Sequence, residues 1–241
     1  MNRLKLLKRF LLTRNCIICN EPVSYSDKIP FCEECSEHWT ALKNLKCHRC
    51  GRKSEECTCL PSQIRECSRH GAAWCVFYDK NSKLIANNLV FKLKREYNKD
   101  IISFFADEMT KNLKSLLFSH GIDYKSCIVT YAPRRLSGKF DYGFDHSKEL
   151  AKYISKNLGV ELRKTLVNKG KKAQKNLSKS DRVENARQSY FPRNKIDVSG
   201  KTVIFVDDII TSGSTIKACA DILYILGAKD VIPVAFAKDN R

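Results

Sequence analysis

The chemistry of this sequence is concentrated in two adjacent acids, Asp207 and Asp208, followed by the hydroxyl-rich run Thr211-Ser212-Gly213-Ser214-Thr215. Four apolar residues, Val203-Ile-Phe-Val206, precede the acids with the pattern of a buried parallel strand ending where the carboxylates begin. After the turn, Ile216, Cys219, Ala220, Leu223 and Leu226 recur at helical spacing. A helix that starts from such a turn points backbone N–H groups outward, and its dipole favours negative charge there. Thr211, Ser212, Ser214 and Thr215 add hydroxyl donors, and Gly213 lets the backbone approach a ligand closely. A phosphate fits that cup. Carboxylates repel phosphate, so Asp207 and Asp208 should face sugar hydroxyls or a metal carried by the ligand. Phosphate on one side and hydroxyls on the other describe a phosphorylated ribose. An ATPase strand also ends in acids, but it needs a G-x-x-x-x-G-K-[ST] loop, which this chain lacks.

The second chemistry is thiolate. The chain has 12 cysteines, most of them between Cys16 and Cys75. Cys16-x-x-Cys19 and Cys32-x-x-Cys35, separated by 12 residues, form a zinc-ribbon signature, each turn presenting two sulfurs to one tetrahedral ion. Cys47-His-Arg-Cys50 and Cys57-Thr-Cys59 read as a second four-sulfur site, with Cys67 able to replace Cys57 or Cys59. A lone histidine is more often a surface residue, so His48 and His70 are left out of the ligand set. With four ligands each and no open position, both zinc sites should be structural, stabilising a segment poor in apolar residues.

Composition bounds the rest. A chain of 241 residues at 43% hydrophobic can build a packed core. With 44 Lys+Arg against 26 Asp+Glu, the net charge of +18 attracts polyanions: nucleic acid, anionic lipid or phosphorylated metabolites. Met1–Thr13 reads as a short basic amphipathic helix without the h-region or cleavage site of a secretory signal. No stretch has the length to span a membrane. A cytoplasmic location is expected, where thiols stay reduced and clustered cysteines bind metal.

These groups need a scaffold. Ala72–Tyr78 has strand character, and Asp79–Ser82 reads as a turn before a helical stretch from Ile85 to the basic face of Lys92, Lys94 and Arg95. Ile101, Phe105, Met109 and Leu113 predict a stronger helix, Ser126–Ala132 a strand, and Ser147–Leu158 an amphipathic helix. Strands follow around Leu162–Val167 and at Val231–Phe236. Alternating strands and helices predict an α/β fold, a parallel sheet covered on both faces, with ligand beyond the carboxyl ends of its strands.

Two further stretches are suited to anions. Pro133-Arg134-Arg135-Leu-Ser-Gly-Lys139 follows a strand, and its three cations can neutralise a pyrophosphate. Residues 163–195 hold eleven Lys/Arg against two acids, and include Gln174-x-x-Leu177-x-x-x-x-Arg182-x-x-Asn185. That segment suits a lid over an anionic ligand, a nucleic-acid contact or a solvated loop.

The Val206–Thr215 segment resembles the phosphoribosyl-pyrophosphate (PRPP) signature of type I phosphoribosyltransferases. Taken with the cysteine-rich amino end, the proline loop and the Gln174–Asn185 segment, nearly the whole chain resembles the ComF family of competence-associated, phosphoribosyltransferase-like proteins. The resemblance implies a double zinc-ribbon module over 1–70 and a phosphoribosyltransferase-like domain over 71–241. It implies PRPP as ligand, accompanied by Mg2+, with Asp207 and Asp208 on the ribose hydroxyls and Thr211–Thr215 on the 5-phosphate. Its implied partners are single-stranded DNA and the DNA-uptake machinery of natural transformation. The alternative is an active phosphoribosyltransferase of nucleotide or cofactor salvage, with Asp207 or Asp208 as catalytic residues. The chain departs from the family in the proline loop, where Tyr142, Asp145 and His146 replace arginine, asparagine and glutamine. That departure falls on the pyrophosphate contacts and on turnover, more than on PRPP binding through the central motif. Replacing Cys16 with Ser should lower bound zinc and solubility; unchanged metal content in the purified variant would overturn the first zinc site.

Overall fold

The computed structural model describes residues 13–24, 29–79, 85–135, 143–170 and 186–240. A short antiparallel hairpin, β1 (Thr13–Asn15) and β2 (Pro22–Ser24), leads into helix α1 (Glu33–Lys43) and the short helix α2 (Ser62–Cys67). Then come β3 (Ala73–Tyr78), α3 (Ile85–Arg95), α4 (Lys99–Ser119), β4 (Cys127–Tyr131) and α5 (His146–Leu158). The chain ends with β5 (Leu166–Asn168), β6 (Tyr190–Pro192), β7 (Thr202–Ile210), α6 (Ser214–Ile225) and β8 (Asp230–Asp239).

Four strands form a sheet in the order β3-β8-β7-β4, and every pairing in it is parallel. Both faces are covered, so the strands are apolar on both sides rather than alternating. Ile204 and Val206 face one core, closed by α1, α3, α4 and α5; Val203 and Phe205 face the other, closed by α2 and α6. Residues before Gly71 contribute to both cores. Trp39 of α1 stacks on Phe236 of β8 at 6.1 Å, while Cys47, Cys57 and Ile64 join the opposite core.

Local signals fix the helix ends near the site. The Asn98 side chain caps α4 by accepting from the N–H groups of Asp100 and Ile101. Asp145 caps α5 by accepting from Lys148 N, and Gly159 closes that helix in a left-handed conformation with φ 68°.

The expected strand around Leu162–Val167 divides in two. Val129 bonds Glu161 and Arg163 in a parallel bridge at the sheet edge, and the chain then leaves to pair β5 antiparallel with β6. Buried Thr165 keeps a side-chain tie to the sheet at that point, its hydroxyl pairing with that of Thr130 at 2.8 Å. Thr13 begins a strand; the rest of the expected amino-terminal helix lies outside the described residues, as does most of the 79–82 turn. Among the described residues, no helix is long and apolar enough to cross a membrane.

Candidate functional site

Asp207 and Asp208 lie inside β7 rather than at its end. β8 runs far enough to keep pairing with Ile209 and Ile210, so the strand continues past both acids. The two carboxyl groups stay close, Asp207 Oδ1 accepting the Asp208 N–H at 2.9 Å, yet their other neighbours part. Asp208 turns to the face of α3 and α5, where its Oδ2 meets Lys94 Nζ at 2.9 Å and His146 Nε2 at 2.9 Å. Asp207 turns to the face of α6 and β6, near Cys219 and Tyr190.

Their electrostatics part as well. Burial alone would raise the pKa of Asp208, but Lys94 and His146 more than offset it and hold the carboxyl well below the usual carboxylate range. Asp207 has no such cation in contact; burial, and next the charge of Asp208, push its pKa up to about 8. At neutral pH the pair carries essentially one negative charge, on Asp208.

The 211–215 turn leads directly into α6. Gly213 is the N-cap residue at φ 80° and offers no side chain, while Ser212 Oγ accepts from Ser214 N, the first N–H of the helix, at 3.4 Å. Ser212 and Ser214 hydroxyls lie 2.7 Å apart, and Tyr190 hydrogen-bonds the Thr215 side chain. Gly213 does not hold its open side for a ligand. A Cβ there would stand 2.9 Å from Ile64 Cγ1, 3.0 Å from Ile64 Cδ1 and 3.3 Å from Gln63 Cβ, so α2 already fills that side. The requirement for glycine comes from positive φ and from packing within the chain.

The proline loop is placed in part. Arg134 directs its guanidinium at two carbonyls, Nη1 to Phe144 O at 3.3 Å and Nη2 to Lys94 O at 3.2 Å, and its N–H reaches Asp145 Oδ2 at 3.1 Å. It thus joins the end of α3 to the start of α5, the two elements that deliver Lys94 and His146. Arg135 is partly exposed, and Lys139 lies outside the described residues. Sequence reasoning missed Lys94, His146, Tyr190 and Ile64 as site residues. Lys94 was visible only as part of a basic helix face, and His146 only as a departure from the family glutamine.

The cysteines gather into two sets of four whose ligand atoms lie within 4.8 Å of one another: Cys16, Cys19, Cys32, Cys35 and Cys47, Cys50, Cys57, Cys59. The first pair of each set has the same turn. Asn20 and Gly51, both at φ 69°, donate their N–H groups back to the Cys16 and Cys47 carbonyls at 2.9 and 2.8 Å. In the first set, Cys32 and Cys35 sit at the start of α1. Sulfurs of Cys19 and Cys32 are 3.5 Å apart, and those of Cys50 and Cys57 3.7 Å, close to the ~3.8 Å edge of a tetrahedron built on 2.3 Å zinc–sulfur bonds. The donor sets fit zinc. Cys67 is not among them: it lies buried in α2, and burial pushes its thiol pKa up to about 12. His70 Nδ1 pairs with Asp230 Oδ2 at 2.6 Å.

Comparison with known proteins agrees with this geometry. Residues 144–241 match the phosphoribosyl transferase domain family. Ribose-phosphate pyrophosphokinase of Pyrococcus abyssi is 52% identical over 40 residues, 17% of this chain and 14% of the relative. Ribose-phosphate pyrophosphokinase 2 of Archaeoglobus fulgidus is 58% identical over 36 residues, 15% of this chain and 13% of the relative. The chain thus spans about one seventh of the length of these relatives. Similar solved structures include phosphoribosylpyrophosphate synthetase from Mycobacterium smegmatis, with TM-score 0.33, 25% identity, and coverage of 54% of this chain and 33% of that one. Another is purine phosphoribosyltransferase from Pyrococcus horikoshii Ot3, with TM-score 0.32, 19% identity, and coverage of 54% and 69%. The carboxyl-terminal part of this chain, residues 144–241, is thus similar in sequence to phosphoribosyl transferase domains.

The raised pKa of Asp207 sets a direction with pH. Between about pH 4 and about pH 8 the folded chain keeps a proton on Asp207 that the unfolded chain has released, so this residue's contribution to stability is lost as pH rises through that window. Asp207→Asn removes the effect. Thermal unfolding across the window should show the variant gaining on the native chain as pH rises, and levelling off above it. A constant difference would mean that Asp207 is ionised throughout.

Proposed function

We propose that this chain is a ComF-type PRPP-binding protein that handles single-stranded DNA during natural transformation. The observation that carries the reading is the hydroxyl-lined turn that opens α6 at Gly213, beside the Asp207–Asp208 pair and beyond the carboxyl end of β7 in a parallel sheet. In this reading Thr211, Ser212, Gly213, Ser214 and Thr215 hold the 5-phosphate through N–H groups and hydroxyls. Asp207 and Asp208 receive the ribose hydroxyls. Asp208 contributes the negative charge, and neutral Asp207 can both donate and accept a hydrogen bond. Lys94, whose side chain is 31% exposed, is a cation within reach of a phosphate that enters beside Asp208. Arg135 and Lys139 are assigned to the pyrophosphate, whereas Arg134 is assigned to bracing the pocket. Mg2+ bound with PRPP would screen the pyrophosphate charge. Residues 1–70 act as a module holding two structural zinc ions, and residues 71–241 as the phosphoribosyltransferase-like domain. The charge of +18 suits a polyanion partner, and a cytoplasmic site beside the DNA-uptake machinery follows from the ComF reading.

One observation favours the enzyme reading. An acid whose pKa is near 8 can exchange protons at neutral pH, so Asp207 could act as base toward an incoming nucleophile during phosphoribosyl transfer. The engagement of Arg134 with backbone carbonyls, and the changes at Tyr142, Asp145 and His146, weigh toward binding without turnover.

Titration of PRPP with and without single-stranded DNA separates the two, with pyrophosphate release followed over a panel of bases. Binding without release, and a DNA affinity that collapses with salt, supports the binding protein; release with one base supports the enzyme. The control is Asp207→Asn combined with Asp208→Asn, because alanine at 208 would remove the oxygen that Lys94 Nζ and His146 Nε2 share, whereas asparagine keeps an acceptor there. The double asparagine variant should stay folded and lose PRPP affinity. Unchanged affinity would overturn the site.

A further inference from the structure

Helix α2 begins three residues after Cys59, the last thiol of the second cysteine set, and Arg65 Nη1 donates to Leu60 O at 2.7 Å across that junction. Its central residue, Ile64, is 0% exposed and shares one apolar core with Cys47 and Cys57 on one side and with Ile216, Cys219 and Leu223 of α6 on the other. At its far end, Tyr224 of α6 donates its hydroxyl toward Cys67 O at 2.9 Å. Between these two fixed ends, Ile64 and Gln63 press on Gly213, the residue from which α6 starts. A glycine at φ 80° has no side chain of its own to limit its backbone, so neighbouring packing must define the turn.

We infer that Ile64 is a positioning residue for the 211–215 turn, and that the Cys47–Cys50–Cys57–Cys59 set holds it there. The inference rests on the reading of that turn as a phosphate cup. Its mechanical content is simple. Four thiolates on one ion fix Cys57 and Cys59, these fix the start of α2, and α2 is the backstop against which the turn closes. Phosphate affinity then depends on thiolates more than a hundred residues away in sequence, through contact rather than through any group that touches the ligand.

The test is a double-mutant cycle on the full chain, with ribose 5-phosphate and PRPP as probes and zinc content measured for every variant. Ile64→Ala should keep both metal equivalents yet weaken binding of both probes by about tenfold or more, the scale on which a displacement of about an ångström acts. Ile64→Val, which retains a branched side chain against Gly213, should recover most of that loss. Gly213→Ala should weaken binding further, because its new Cβ meets Ile64. Adding Ile64→Ala to Gly213→Ala should then restore part of the affinity rather than add to the loss. A general loss of stability would make the two changes additive, and that outcome overturns the inference. So does Ile64→Ala with native affinity and native zinc. If the native chain binds neither probe, the phosphate reading itself fails, which is a different result from either.

Discussion

A carboxylate that stays ionised under a sheet of helices is the constraint around which the pocket is arranged. Asp208 is 8% exposed, and an unpaired charge at that depth would either destabilise the fold or take up a proton. Two nitrogen donors meet it, and they come from different elements: Lys94 near the end of α3, His146 at the start of α5. Their convergence has its own support. Arg134 bonds the carbonyl of Lys94 and that of Phe144, so the two arms of the clamp are joined behind the charge as well as at it. Asp145 accepts from Arg134 N and caps α5, which places His146 in the first turn facing β7. What reads in sequence as a cation-rich loop for pyrophosphate is, at Arg134, part of the frame that keeps Asp208 charged.

The consequence for ligand chemistry lies in the contrast with Asp207. Lys94 pairs directly with Asp208 and acts on Asp207 only through its charge, while burial and the Asp208 charge oppose ionisation of Asp207. One acid is held ionised and the other protonated across neutral pH. That division lowers the repulsion a phosphate would meet from two full charges. It also leaves Asp207, pushed toward its neutral form, near the 211–215 turn, where a protonated carboxyl can donate a hydrogen bond.

Local features of this site were legible in sequence, and assembled ones were not. The strand–acid–turn–helix order from Val203 to Leu226 is contiguous, and each part has its own period or composition, so β7, the turn and α6 could be read directly. The placement of both acids at the strand end was read wrongly, although Ile209 and Ile210 carry the β-branched character that continues β7. Even with them counted into the strand, a period of two would not describe the stretch, because Ile204, Val206 and Ile209 share one core and Ile210 lies in the other. Lys94 and His146 had no such pattern, because a lysine on a basic helix face looks the same whether it points to solvent or to a buried acid. Ile64 offered still less, since nothing in a six-residue segment reports that it will pack on a glycine far along the chain. The two cysteine sets were legible because a tetrahedral ion dictates short spacings. Of the candidate fourth ligands in the second set, geometry retains both Cys57 and Cys59 and buries Cys67 elsewhere.

The docking of the cysteine-rich segment gives it a role in the pocket as well as in its own stability. Lys92 of α3 donates to Ile18 O, within the turn between Cys16 and Cys19, at 2.8 Å, and Lys94, two residues on and nearly opposite around the same helix, grips Asp208. On the other face of the sheet, α2 leads from Cys59 to Gly213. Asn240, just past β8, accepts from His48 N and donates to Lys46 O, pinning the second cysteine turn to the end of the sheet. Each set of cysteines is therefore tied to one half of the candidate site, the first toward the Asp208 clamp and the second toward the 211–215 turn. A module attached only by a flexible linker could be lost without disturbing the pocket. This one is built into both walls, so removal of its metal would reach the ligand groups along two separate lines of contact.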